Sequence, residues 1–220
     1  MITAIIPVRK GSLRVKNKNI KPFANSSLLE IKIKQLLNLK KWKKISDIVV
    51  SSDCEKMLEV AKSHNVNIHK RKEYFASSNA DNSEFFKNLA EDVGSGDWIM
   101  YSPVTCPLIS FETYNEILSN FYNNPHNTVT VSPIKHHLWL DGKPLNYEIN
   151  KSPNSQDLPD IYSINYAISI IKRKQMIKFK NIVTDNPKFI VLDEIESIDI
   201  DTELDFEFAE FVYKKLNKTS

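Results

Sequence analysis

Three short apolar runs constrain this chain more than anything else in it: Ile2 to Pro7, Asp47 to Asp53 (DIVVSSD) and Asp97 to Ser102 (DWIMYS). Each has the length of a buried strand, and each ends in a polar exit. Between them lie stretches whose apolar residues recur every three or four positions. Ser27 is placed to cap a helix through Leu28, Leu29, Ile31, Ile33, Leu36, Leu37 and Leu39, with lysines between the apolar positions. Further helices are predicted over Glu55 to His64, Ser83 to Val93 and Glu112 to Tyr122, and strands over Val66 to His69 and Thr128 to Ser132. Strands alternating with helices through short connections predict an α/β fold, a mostly parallel sheet wrapped on both faces.

The alternation lapses from Lys135 to Pro159, a polar stretch with His136, His137, Trp139 and Gly142. We read it as an inserted arm in a core made of residues 1–134 and 160–220. Strand character returns at Ile161 to Ile171 and Phe189 to Leu192, with a short helix over Lys172 to Ile177. The chain closes with the polar loop SIDIDTELD and an amphipathic helix through Phe206, Ala209, Phe211, Val212 and Leu216. A chain of 220 residues suits one large domain. Two cysteines, Cys54 and Cys106, are too few for a disulfide scaffold, and there is no C-x-x-C pair. No apolar run approaches the roughly 20 residues of a membrane span, and the N-terminus lacks the form of a signal peptide. The cytoplasm is the expected compartment.

The net charge of +3 hides an asymmetry. Met1 to Ile45 holds twelve Lys or Arg and one acid, Glu30, whereas Asp193 to Glu210 holds nine acids and no base. The basic residues Arg9, Lys10, Arg14, Lys16, Lys18 and Lys21 follow directly on the first strand. A strand delivering positive charge at its C-terminal end is the layout of an anion site in an open α/β sheet. With only Gly11 in that loop and no Walker or dinucleotide glycine pattern, side chains must supply the charge. The competing reading is a solvated basic loop. At the other end, alternation in Ser197-Ile198-Asp199-Ile200-Asp201 places Asp199 and Asp201 on one face and the isoleucines on the other. Adjacent carboxylates repel unless a cation lies between them, and magnesium, which takes one or two carboxylates plus phosphate oxygens, meets that need. The segment also reads as a helix start, with Thr202 as cap and Asp201 and Glu203 at the positive end. Both readings can hold together.

IIPVRKGSLRVKNKNIKP resembles the signature loop of the CMP-sialic acid synthetases, the acylneuraminate cytidylyltransferases, commonly written ARGGSKRIPNKNIKP. SIDIDTELD is similar to that family's metal-binding segment. IVVSSD, PVTCPLI (family QPTSPLR), the His136–His137 pair and NYAISI (family NGAIYI) follow in the family's order, so the resemblance spans nearly the whole chain. It implies a Rossmann-like nucleotidyltransferase with a small dimerisation arm. The implied activity is transfer of CMP from CTP to the anomeric hydroxyl of a nonulosonic acid, an acidic sugar, with release of pyrophosphate. It further implies Arg9, Ser12, Arg14, Lys18 and Asn19 at the nucleotide, with Arg9, Lys18 and Asp201 catalytic. Asp199 and Asp201 would hold Mg2+, Thr105 and Asn165 would meet the acceptor, and the protein would be a homodimer.

The sequence departs from the pattern at Leu13, where the family has a lysine; Lys10 and Lys16 are the candidates to replace it. Pro103, Ile109 and Tyr166 depart at positions the resemblance places near the acceptor. Two rivals are a glycosyltransferase using Asp199-x-Asp201 as its metal motif and a nucleic-acid module using Lys40 to Lys44. The first needs no triphosphate-sized basic loop. The second lacks aromatics among its lysines and is opposed by the acidic C-terminal segment. A deoxy-octulosonate cytidylyltransferase is the nearest neighbour within the favoured class. His136 and His137 are read as surface or interface, and Cys106 as core filling.

Overall fold

A computed structural model describes residues 1–77 and 79–217. Ser78 and residues 218–220, which fall within the predicted core segments, lie outside the described residues. Strand β1 (Ile2–Pro7) is central and splits two cores. Its alternation sends Ile2, Ala4 and Ile6 to one and Ile5 to the other. The short hairpin β2 (Pro22–Phe23) and β3 (Ser26–Ser27) leads into α1 (Leu28–Lys41), whose Ser27 cap accepts the Glu30 amide, as the sequence predicts. Then come β4 (Asp47–Ser52), α2 (Glu55–Ser63), β5 (Asn67–Lys70), α3 (Asn82–Asp92), β6 (Trp98–Tyr101) and α4 (Phe111–Asn123).

β6, β1, β4 and β5 form a parallel block in that spatial order. The chain passes from β1 to β4 and β5 on one side, then crosses to β6 on the other. β1 therefore stands where the winding reverses, and the cleft beyond its C-terminal end is where such sheets bind ligands. Met57 and Ala61 of α2 share the larger core with α1 and α4, while Phe86 and Leu89 of α3 pack in the smaller one.

The sheet continues through β7 (Thr128–Ile134), β10 (Ile161–Lys172) and β11 (Lys188–Val191). β10 is antiparallel to both neighbours, β6 and β7, and β11 is parallel to β7. Strand β7 runs two residues past its predicted end, carrying Pro133 with it. Between β7 and β10 the chain makes the minimal hairpin β8 (Trp139–Leu140) and β9 (Lys143–Pro144), then single 3-10 turns. This excursion is tied by polar contacts: Asn146 bridges His136 O and Leu138 N, and Lys135 binds Asp160 and the Leu158 carbonyl. Helix α5 (Arg173–Phe179) follows β10 and packs on α3, and α6 (Glu203–Leu216) closes the fold with Phe206 and Ala209 buried and the Phe206 and Tyr213 rings edge-on to Phe23.

Candidate active site

The loop after β1 is built as a rigid platform. Val15 is fully buried and pins its centre to the core. Asn17, at φ 55, turns the chain so that its carbonyl accepts the amides of Ile20 and Lys21. Asn19 Nδ2 donates to Arg9 O at 3.0 Å and so closes the loop on itself, and Gly11 takes φ 76 in open space. Polar and cationic side chains between these anchors are left facing the cleft beyond β1. That cleft, of about 550 Å³, is lined by Arg9, Ser12, Arg14, Lys18 and Asn19 on one side and by Pro103, Val104 and Thr105 after β6 on another.

The acidic segment meets this loop directly. Ile200, fully buried, donates its amide to Thr105 O at 2.9 Å, which seats the extended segment against the β6 exit. Lys18 Nζ donates to Ile200 O at 2.5 Å and lies 4.0 Å from Asp201 Oδ1, and Arg14 Nη2 reaches that same oxygen at 2.8 Å. Lys21 pairs with Glu203 at 2.6 Å, and Ala24 N donates to Glu210 at 2.8 Å. The two ends of the chain thus meet, and the basic loop is paired with acidic and backbone partners rather than only solvated.

Burial tunes its charges. It holds the Lys18 ammonium below the usual lysine range, while Asp201 and Asp199 pull it back up. It pushes the Asp199 carboxyl above the ordinary range, with Asp201 adding repulsion; a hydrogen bond from Thr105 and the charge of Lys18 act against the rise. The helix-start reading of the aspartates is also realised, since Thr202 and Asp205 form a capping box at α6 whose Asp205 carboxylate accepts the amides of Asp201 and Thr202. Among the described residues no three His, Cys, Asp or Glu cluster as a complete metal cage. Two carboxylates alone still suit an ion that draws its other ligands from phosphate and water.

The remaining predicted residues fall as follows. Arg9 lines the cleft with Nη1 on Ala76 O at 2.9 Å. Asn165 is buried, and its side-chain amide is engaged by Thr130 Oγ1 (2.7 Å) and Ser132 Oγ (3.1 Å) of β7; its carbonyl faces Cys106 Sγ at 3.7 Å. Leu13 is 97% exposed at the cleft rim. Lys10 turns away to Asp53 and Glu73, and Lys16 lines a separate hollow with Asn17, Ile20, Lys21 and Pro22, so neither replaces the missing lysine in the cleft. Cys106 is fully buried, and burial drives its thiol up to about 12, which rules out a thiolate nucleophile at neutral pH. His136 lies outside the cleft lining, and His137 stacks edge-on against Tyr147 in the excursion.

The sequence reading missed Arg71. It follows β5, is only 5% exposed, and donates to Ser51 O at 2.6 Å. Its guanidinium stacks 4.7 Å from the Phe85 ring, and burial lowers it to about 10. With Phe75, Phe85 and Tyr101 it lines the cleft as an aromatic, cationic wall. Position after a parallel strand was the available signal, masked by the neighbouring surface lysines.

The family model described as cytidylyltransferase matches residues 3–210. This chain belongs to the cytidylyltransferase family. It is 27% identical to the post-translational flagellin modification protein B of Campylobacter coli, over 98% of this chain and 96% of that one. It is 29% identical to the CMP-N,N'-diacetyllegionaminic acid synthase of Legionella pneumophila, over 95% and 94%. Among solved structures it resembles a CMP:2-keto-3-deoxy-manno-octonic acid synthetase complexed with CTP, with a TM-score of 0.67 at 11% identity over 97% and 98% of the two chains, which is a likeness of fold. As a cytidylyltransferase the protein is a nucleotidyltransferase, and its acidic pair accompanies a loop of cationic side chains, which a glycosyltransferase reading leaves without a role.

Proposed function

We propose that this cytidylyltransferase moves CMP from CTP to the anomeric hydroxyl of a nonulosonic acid. The acceptor oxygen forms a bond to the α-phosphorus as the bond from that phosphorus to the β-phosphate's bridging oxygen breaks. The hydroxyl proton passes to solvent, and pyrophosphate leaves. The observation that carries this reading is the meeting of the β1 loop with the Asp199–Asp201 segment, tied by Lys18 to Ile200 O and by Arg14 to Asp201.

Arg9, Ser12, Arg14 and Lys18 are the residues suited to the triphosphate, where fixed cationic donors lower the cost of developing charge. The cytosine suits the space between Asn19 and the wall of Arg71, Phe85 and Tyr101, where a planar base finds aromatic surface and a donor fork. Thr105, beside Asp199, lies at the acceptor end with the Asn165 carbonyl. Asp199 and Asp201 would hold Mg2+, and when bound that ion supplies positive charge to the phosphate oxygens. Four large apolar side chains of the excursion, Trp139, Leu140, Leu145 and Ile149, are more than half exposed, which supports an arm that buries them in a homodimer. No described helix is long and apolar enough to cross a membrane, and dependence on CTP supports a cytoplasmic reaction.

A pyrophosphate-release assay with CTP, Mg2+ and a panel of nonulosonic acids tests the reading. Turnover on one or more acids, lost without Mg2+, is the expected result. Failure to bind CTP would overturn it. Light scattering of the purified protein, read against a Leu140→Glu variant, tests the dimer.

A further inference from the structure

Helix α6 has two apolar faces, and the fold uses one of them. Phe206 and Ala209 are buried, and Tyr213 packs against the same core. With about 3.6 residues per turn, Leu204, Phe208 and Phe211 lie across the helix from that face. They are 75%, 54% and 64% exposed. Spaced four and three positions apart, they form a continuous row along the axis rather than scattered surface residues. No other described α-helix leaves more than one large apolar side chain exposed.

The charges beside the row say what covers it. Glu207 and Lys214 are both exposed. Seven positions separate them, about two turns, so they stand on the same flank of the row with roughly 10 Å between them along the axis. That flank is acidic toward the start of the helix and basic toward its end. Lys214 pairs with Glu210 at 2.9 Å, an i, i+4 contact that contributes only about 0.3–0.5 kcal/mol and yields to a better placed partner. In a contact across a two-fold axis, the same flank of each copy meets the other with its direction reversed. Two α6 helices laid antiparallel therefore set Glu207 of each copy beside Lys214 of the other. The centre of that pairing falls between Glu210 and Phe211, so Phe211 meets Phe211 and Phe208 lies alongside. The register that satisfies the charges is thus the register that buries the row. A parallel arrangement would set glutamate against glutamate and lysine against lysine.

We infer that α6 is a self-association surface, packing antiparallel on α6 of a second copy of this chain. Leu204, Phe208 and Phe211 form its seam, and reciprocal Glu207–Lys214 pairs form its edge. Three large side chains from each copy make a small interface, so the association is reversible and rises with concentration. It uses none of the residues of the cleft or of the arm, and it does not rest on the proposed function.

Sedimentation velocity over a range of concentrations tests it, in a Leu140→Glu background that removes contact through the arm. The chain is expected to pass from one copy to two as concentration rises. Phe211→Glu should weaken that step at least about tenfold, because an aromatic residue at the centre of an interface dominates its affinity. It should keep the Tm, because the side chain is exposed in the single copy. Glu207→Lys and Lys214→Glu should each weaken the step, and the two changes together should restore it. A Leu140→Glu chain that stays a single copy at every concentration overturns the inference and leaves the face to a different protein. Association that Phe211→Glu leaves intact, or a double variant no better than either single one, overturns it as well. The arm reading stands or falls separately, on wild type against Leu140→Glu.

Discussion

Replacing Lys18 by methionine separates a catalytic lysine from a structural one. The change keeps the stem's volume and removes the charge. At 4.0 Å from Asp201 Oδ1, an effective dielectric of about 20 gives a gross attraction of about 4 kcal/mol. Burial works against that gain, because the ammonium is held below its ordinary pKa despite both aspartates. Sign matters here: a lysine whose folded pKa is depressed carries its charge at a cost to folding, so removing the charge relieves that cost. Asp201 keeps Arg14 at 2.8 Å. What folding loses is the charge-assisted bond to the Ile200 carbonyl, about 1.5–3 kcal/mol before the relief from burial, or roughly 3–9 °C in Tm for a domain of this size. The transition state loses a fixed cation at the triphosphate, on the order of 3 kcal/mol, more than a hundredfold in rate. Pyrophosphate release and thermal melting, measured on the same preparation of Lys18→Met, check the two numbers. Turnover within fivefold of wild type would refute the catalytic assignment, and a Tm drop above about 10 °C would show that the lysine is chiefly structural.

Arg71→Gln should weaken CTP binding at least tenfold by calorimetry, since a charge-assisted bond contributes about 1.5–3 kcal/mol, with some loss of stability because the guanidinium also holds Ser51 O. Lys32→Met should lower stability by about 1–3 kcal/mol in urea titration, because it strips the fully buried Cys106 carbonyl contact (3.0 Å) and a bond to Tyr114 Oη (2.8 Å). Half-buried His69, bonded to Ser51 Oγ at 2.9 Å, has its pKa lowered from 6.5 chiefly by burial. The unfolded chain therefore binds a proton that the native state resists, so stability is full above about pH 6.5 and declines below it. Melting curves between pH 7.5 and 5.5 should show that decline, and His69→Gln should flatten it.

The strands and helices were legible because their apolar spacing is strong and their caps conventional; Ser27 and Thr202 both cap as their positions suggest. The two-ended site was legible because charge segregates along the chain. Three features were not. Lys32 sits among the lysines of α1, yet it turns inward and is fully buried, since the β6 exit loop and Tyr114 offer it acceptors that only tertiary packing supplies. Arg71 reads as one more surface cation until α3 lays Phe85 over it. The bulge at Asn165 to Ile168 has no glycine to announce it, because side chains of a different strand impose the turn that glycine usually permits.

Two of the cations that meet Asp201 have different physical standing. Arg14 is 67% exposed in its side chain and Asp201 47%, and an exposed pair of this kind contributes about 0–1 kcal/mol. Lys18 is 13% exposed and fixed on a backbone carbonyl. On the proposed function, a triphosphate entering the cleft would draw Arg14 away from Asp201 at little cost and leave that carboxylate free to hold a cation. Lys18 need not move. The capping box keeps the segment in place during this exchange, because Asp205 holds the amides of Asp201 and Thr202 whichever partner Asp201 has. On that reading Lys18 would serve as permanent framework and Arg14 as an exchangeable placeholder, so that opposite charges share a cleft without sealing it.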